Sequence, residues 1–406
     1  MGAAWAAWAA AEPLGTIAYI ERDGLWIREV PNGRPYRLVI GAGIGSPRFS
    51  PSGKWITYLQ AGVLHVVSMD GVSNVNLGKA GCQWSPARDE LFVDSPAGLT
   101  VFTADTGWHR AMRTIAGARL PVVFSPDGKE IVYGDAYVNG RGPGGEPMRT
   151  GRLCRLALRT PDSRPRVLVS EYLAGKIPCA WSRNGEHIVF WNDPDFSASL
   201  MADGLPLSRI PAAGGPAQSL GISTLVHDDA LSFSPPQDKL AVGTGGGRNQ
   251  WEEKRIAVVD LETAARTYLT PNNMAAVSPA WSPNGTAIAY SAAPGPTAGS
   301  GVGGGEPARR LLASRRIWVV DVKGANAPKP LTSDSRYRDE EPVWSADGQH
   351  ILFCRMASGN TKTLWMMGAD GTNAVQLAGP LQGVDDSWFG YYGYISWRDA
   401  FDTRLR

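Results

Sequence analysis

The side chains best suited to chemistry in this chain of 406 residues are His227, Asp228 and Asp229. An imidazole titrates near neutral pH, and adjacent carboxylates can orient it as a general base or join it around a metal. Two further acidic runs lie far off in sequence. They are Arg336-Tyr337-Arg338-Asp339-Glu340-Glu341 and Asp385-Asp386, the latter followed by Trp388, Phe389, Tyr391, Tyr392 and Tyr394. Carboxylates delivered to one place by separate segments suit a hard cation, so Asp229, Glu341 and Asp386 are candidate ligands for Ca2+. Arginine, carboxylate and aromatic groups together suit a peptide or a carbohydrate. The candidate binding residues are Arg336, Tyr337, Asp339, Glu341, Asp386, Trp388 and Tyr391. Two loops echo each other, Gly144-Gly145-Glu146-Pro147 and Gly304-Gly305-Glu306-Pro307, and arginines flank both. Arg309 and Arg310 in the second are candidates for an anionic ligand or acidic partner. Hydrogen bonding that ties loops to their neighbours accounts for many of the same residues without any ligand. One histidine with two aspartates is a sparse set for catalysis, so the expectation is binding rather than reaction.

Other motifs carry less. Gly140-Arg141-Gly142-Pro143-Gly144-Gly145 has the spacing of a dinucleotide loop but is followed by Glu-Pro rather than a helix, so that reading is rejected. The four cysteines, Cys82, Cys154, Cys179 and Cys354, lack metal spacing and read as buried thiols. His187 and His350 share a turn-foot position that Glu130 and Ala287 fill elsewhere, which marks it as a surface site. His65 falls where other repeats place Trp26, Trp318 and Trp365, which marks it as structural.

These residues need a scaffold, and the composition constrains it. Charged residues make up 19% and hydrophobic ones 43%, so the chain is able to bury a large core. A net charge of +2 is too even to argue for nucleic acid. No stretch reaches the ~20 apolar residues of a membrane helix. With 48 Gly and 30 Pro between many short apolar runs, the chain reads as all-β and rich in turns.

A turn motif recurs seven times, as in Phe49-Ser50-Pro51-Ser52-Gly53, Phe124-Ser125-Pro126-Asp127-Gly128 and Trp281-Ser282-Pro283-Asn284-Gly285. Pro presets φ, Asp or Asn suits the next position, and Gly accepts the left-handed one that closes the hairpin. Two columns extend the alignment to eight copies. The second strand carries Tyr19, Tyr58, Val93, Tyr133, Phe190, Val242, Tyr290 and Phe353. The third begins at Leu25, Leu64, Leu99, Leu153, Leu207, Ile256, Ile317 and Leu364. Eight second and third strands but seven turns leave one first strand missing. Tyr394-Ile395-Ser396-Trp397-Arg398 resembles it and would pair with Ile17-Ala18-Tyr19, closing the ring and removing exposed sheet edges.

The Trp-Ser-Pro-Asp-Gly-x-x-Ile-Ala-Tyr pattern, closest at Pro279–Tyr290 and Val343–Phe353, resembles the TolB-type (PD40, WD40-like) β-propeller family over residues 16 to about 400. The resemblance implies an all-β propeller, and the columns count eight four-stranded blades, with seven as the alternative. Residues 1–12 are expected to be a signal-peptide remnant or disordered tail, 13–402 the propeller, and 403–406 a C-terminal tail. The alanine-rich start implies a periplasmic or secreted protein. No Gly-x-Ser-x-Gly elbow marks a hydrolase domain of the kind related propellers precede.

Loops joining strands two and three share one face with the connections between blades. The interval between the two columns is 6 from Tyr19 to Leu25 but 20 from Tyr133 to Leu153 and 27 from Tyr290 to Ile317. The longer intervals fall in blades four to eight. The expectation is a monomeric, non-enzymatic propeller that binds a protein or peptide on that face, with carbohydrate as a further candidate ligand. The alternative is a polysaccharide lyase or glycoside-acting enzyme at the channel mouth near His227.

Overall fold

In five hairpins between first and second strands, at Ser50, Ser125, Ser182, Ser282 and Ser345, the serine Oγ accepts from the amide five residues on. Ser125 Oγ accepts from the Glu130 amide at 3.0 Å and donates to Asp127 at 2.7 Å. Ser182 and Ser282 do the same with Asn184 and Asn284. The glycine that follows is left-handed, with φ of 67° at Gly128 and 69° at Gly285. The turn therefore places the aromatic before it against an aliphatic residue of the next strand: Phe49 faces Ile56, Trp281 faces Ile288 and Trp344 faces Ile351.

The computed structural model describes residues 12–141, 147–160, 163–194, 196, 203–295, 305–324, 326–384 and 392–405. They form eight antiparallel sheets of four strands. From the inner strand outward, blade two is Ile44–Phe49, Trp55–Gln60, Val63–Ser68 and Asn74–Gly78. Blade three spans Cys82–Ala116, blade four Val122–Tyr172, blade five Ala174–Leu225 and blade six Leu231–Tyr268. Blade seven spans Met274–Pro330 and blade eight Tyr337–Ala378. All sixteen residues of the two alignment columns are buried, which makes them the core of each blade.

Blade one is Gly15–Glu21, Gly24–Val30 and Tyr36–Ile40, completed on its inner side by Phe401–Leu405. The ring is thus closed by the C-terminus, but not by the expected strand. Trp397–Asp399 is a short 3-10 turn, and the closing register runs Tyr19↔Phe401 to Gly15↔Leu405. Residues 403–405 belong to the sheet rather than to a tail. The reason is chemical: Thr403 faces Ile17 where every other blade has Phe or Trp, so the strand lacks the repeat's marker. Ser396-Trp397-Arg398 mimics that marker while serving another purpose.

The insertions differ in kind. Blade four extends its middle hairpin as strands Glu130–Arg141 and Pro147–Ala157. Blade seven inserts a helix, Gly305–Ala313, where flexible loops were expected. In blade eight the longer interval comes from long strands, His350–Ala357 and Lys362–Gly368, rather than from an insertion.

Candidate functional site

The long-loop face is filled over blades six to eight by the chain itself. Trp251, from the blade-six insertion, is buried against Ala308 and Leu312 of the helix Gly305–Ala313. The Gln250 amide donates to the carbonyl of Tyr392, and Arg315 donates to the carbonyl of Gln250 at 2.7 Å. Residues 392–399 then cross the ring. Arg338 donates to the carbonyl of Gly393, Tyr394 stacks on His227 at 4.0 Å between ring centres, and Trp397 Nε1 donates to Glu340 at 2.8 Å. Arg398 donates to Glu341 at 2.8 Å, and Ser46 to Asp399 at 2.8 Å. This segment is a cap over the channel, which explains why it looks like a strand yet does not become one.

Beneath the cap, the acidic run of blade eight lies in the inner strand Tyr337–Trp344 rather than in a loop. Asp339 holds Arg355 through both oxygens, at 2.7 and 2.9 Å, and is fully buried. Glu340 accepts from Arg315, Arg338 and Trp397. Burial opposes its charge, but the two guanidinium groups overcome that and hold its carboxyl below the usual range. Glu341 is different. Burial, with Asp229 and Glu340 nearby, pushes it up to about 7 despite Arg398. Asp229 is pushed up to about 6 by burial and by Asp228 and Glu340, although Ser278 donates to it at 2.7 Å.

A backbone device aims these side chains. Ser46, Ser278 and Glu341 each precede a proline, stand three residues before Phe49, Trp281 or Trp344, and adopt left-handed φ of 51°, 51° and 54°. The inner strand bulges there, and the side chain turns toward the neighbouring segment. The resulting cavity, about 490 Å3, runs from Asp229, Glu341 and Arg398 down to Pro235 and Pro283 of the Ser-Pro turns. It therefore reaches the face opposite the long loops.

Of the expected catalytic group, Asp228 is exposed at the channel, Asp229 lines it, and His227 is buried under Tyr394. Burial lowers the imidazole to about 4, only partly offset by Asp228, so it is neutral at pH 7 and covered. For the expected cation, Asp229 and Glu341 do meet, but each is engaged by a donor of the protein. Among the described residues no three His, Cys, Asp or Glu side chains converge as a metal site. Asp386, Trp388 and Tyr391 lie outside the described residues, as does most of the Gly144–Pro147 loop. Arg336 is exposed, paired with Asp334 and stacked over Tyr337. Arg309 and Arg310 are exposed on the helix, pairing with Glu306 along its surface.

The raised Asp229 has a measurable consequence. Its carboxyl ionises near 3.8 when unfolded and near 6 when folded, so stability falls as pH rises from about 4 through 6. Asp229→Asn keeps an acceptor for Ser278 but cannot ionise. Its urea midpoint is expected to match the parent near pH 4 and to exceed it at pH 8, by about 2 kcal/mol of unfolding free energy after allowance for solvent contact.

Over blades four and five the described residues leave the same face open. A cleft of about 480 Å3 lies between Arg119 and Leu120, Gly134–Ala136, Gly175–Pro178 and Phe196. Glycines bring the two blades together: a Cβ on Gly134 would stand 2.1 Å from the Lys176 carbonyl, and one on Gly151 2.1 Å from that of Ala174. Lys176 is buried with its amine on Glu171 and Asn192, and Asp135 is paired with Arg152. Of the nine exposed large hydrophobics among the described residues, Val138, Val167 and Tyr172 belong to blade four and Leu173 follows it directly. Such clustering is what marks a contact surface. Nothing in the sequence pattern distinguished these residues from the loops of blades six to eight.

No family model matches the chain. Over 73 residues, 18% of its length, it is 34% identical to the Tol-Pal system protein TolB of Rhizorhabdus wittichii, of which that stretch is 16%. Among solved structures, dipeptidyl peptidase 4 of Porphyromonas gingivalis superposes with a TM-score of 0.60 at 11% identity, covering 94% of this chain and 61% of that one. A putative dipeptidyl aminopeptidase IV of Bacteroides ovatus gives 0.55 at 11%, covering 91% and 60%. The chain thus spans under two thirds of each of these proteins, and at such identity the two peptidases share its fold alone. The chain is a β-propeller of eight blades, similar to TolB in its repeat and over those 73 residues.

Proposed function

We propose that this propeller is a non-enzymatic binding module that takes a protein or peptide partner in the cleft over blades four and five. The observation that carries the reading is the concentration of exposed apolar side chains on blade four, beside a long-loop cleft that the described residues leave open. The likeness to a Tol-Pal system protein supports a protein partner in general terms. The apolar, alanine-rich start supports an extracytoplasmic location.

A polysaccharide lyase or glycoside-acting enzyme is the second reading. Its support is the pair Asp229 and Glu341, two carboxyls held near neutrality in a cavity. The covered state of His227 weighs against it.

Photo-crosslinking tests the first reading. A benzoylphenylalanine at Tyr172 is expected to trap a discrete partner in extracts of the source cells, while one at exposed Ile40 of blade one is expected to trap none. Equal capture at both positions would remove the cleft from consideration.

A further inference from the structure

We infer that the cleft takes its partner as an added β-strand, and that the strand is acidic. This deepens the reading above and rests on it. Blades five, seven and eight oppose inner strands of eight residues to second strands of eight. Blade four opposes three, Val122–Phe124, to twelve, Glu130–Arg141. Its inner pairing stops at Val122↔Tyr133. On the outer side the ladder continues through Gly134↔Leu153, Asp135↔Arg152 and Val138↔Arg149. Among the described residues no strand covers the inner edge beyond Tyr133. Alternate backbone N–H and C=O groups of that stretch therefore face the cleft without a ladder partner.

Among the described residues the slot is open because the segment leading into the inner strand is tied to blade three. Gly117 turns the chain with a φ of 78°. The Leu120 amide donates to Asp94 at 3.2 Å, and Arg119 donates to the carbonyls of Ser95 and Pro96 at 2.8 and 3.2 Å. Pro121 has no N–H to offer a ladder. What remains is a groove with a sheet edge on one wall and Ile177 and Phe196 on another. Its volume is within the range of ordinary ligand sites, and its form is that of strand addition, in which main-chain bonds give affinity and alternate side chains give selectivity.

Charge selects the partner. The carboxylate of Asp135 is matched by Arg152, and the Lys176 amine by Glu171. Among the described residues Arg119 meets only carbonyls, and exposed Arg149 lies over Phe196. Asp193 also lines the cleft but is engaged within the protein, so the charge left to meet carboxylates is that of Arg119 and, beside Phe196, Arg149, next to an apolar wall. An extended segment alternating acidic and β-branched residues fits both.

Fluorescence anisotropy on the full chain tests this with labelled peptides. One alternates Glu and Val over six residues, and a second has Lys for Glu. Two further forms of the first are N-methylated on one or the other set of alternate residues. The acidic peptide is expected to bind, and the lysine peptide at least about tenfold more weakly. One N-methylated form is expected to lose about tenfold or more and the other little, since only one set of amides reaches the edge. Ala136→Glu, which places a carboxylate in the cleft, is expected to weaken the acidic peptide about tenfold with an unchanged unfolding midpoint. Equal binding of both methylated forms and the parent overturns strand addition. In that case a loss on Ala136→Glu would still leave the cleft as the binding surface. Equal binding of acidic and lysine peptides overturns the acidic class. No binding of the acidic peptide at ~1 mM overturns the whole inference, and the crosslinking at Tyr172 then decides the broader reading by itself.

Discussion

Phe401→Ala will destabilise the propeller by about 3–5 kcal/mol, the range for emptying a buried phenylalanine site. Phe401 is fully buried where the first and last blades meet. It packs with Ile17 and Tyr19 of blade one and with Leu352 and Cys354 of blade eight. Its strand also supplies the inner edge of blade one and ties into blade two, where Asp402 accepts from the Phe49 amide at 2.8 Å and Arg404 donates to the Pro51 carbonyl at 2.9 Å. The loss is therefore shared by three blades. Urea unfolding followed by tryptophan fluorescence checks the size. Deleting residues 401–406 goes further, because it leaves the inner edge of Gly15–Glu21 unpaired. That truncation is expected to associate in a concentration-dependent way, as exposed strand edges do.

Glu340→Ala is expected to cost a similar amount, about 3–5 kcal/mol, for a different reason. The carboxylate is the shared partner of Arg315 and Arg338, and all three groups are nearly fully buried. Removing it leaves two guanidinium groups without their counter-charge in a site closed to water. It also frees Trp397, and with it the cap over the channel. The contrast is Glu306, whose pairs with Arg309 and Arg310 lie on the exposed face of the helix. Glu306→Ala is expected to change the unfolding free energy by less than about 0.5 kcal/mol. Thermal and urea unfolding of both variants side by side separate a buried ion network from a surface pair. Comparable losses in the two would show that Glu340 is not the support of the cap.

What was legible in the sequence was what repeats. The columns from Tyr19 to Phe353 and from Leu25 to Leu364 mark the core because every blade must bury the same positions. The closing strand escaped because Thr403 stands where the repeat has an aromatic residue. Its place was taken in the alignment by Trp397, whose indole serves Glu340 instead. The acidic run from Asp339 to Glu341 looked like a ligand set because its counter-charges are remote: Arg315 and Arg398 reach it only through the fold. One local signal was present in the residues. A residue before proline, three positions ahead of the aromatic, recurs at Ser46, Ser278 and Glu341 and marks the inner-strand bulge. The closure of the long-loop face over blades six to eight had no such signal, since the blade-six insertion, the helix and residues 392–399 meet only in the folded ring.

The second strand of blade four is paired on its inner side only at 131–133, and the proposed site is the edge beyond. Amide hydrogen exchange of the unliganded chain measures it directly. Residues 134–138 are paired on the outer side only, whereas 188–191 of blade five and 288, 289, 291 and 292 of blade seven are paired on the inner side and the outer. Alternate amides of 134–138 are predicted to exchange at least about a hundredfold faster than the protected amides of those two strands. Adding the acidic peptide is predicted to slow the same amides. Protection across 134–138 equal to that of 288–292 in the free chain would mean that the edge is already covered, and would contradict the account.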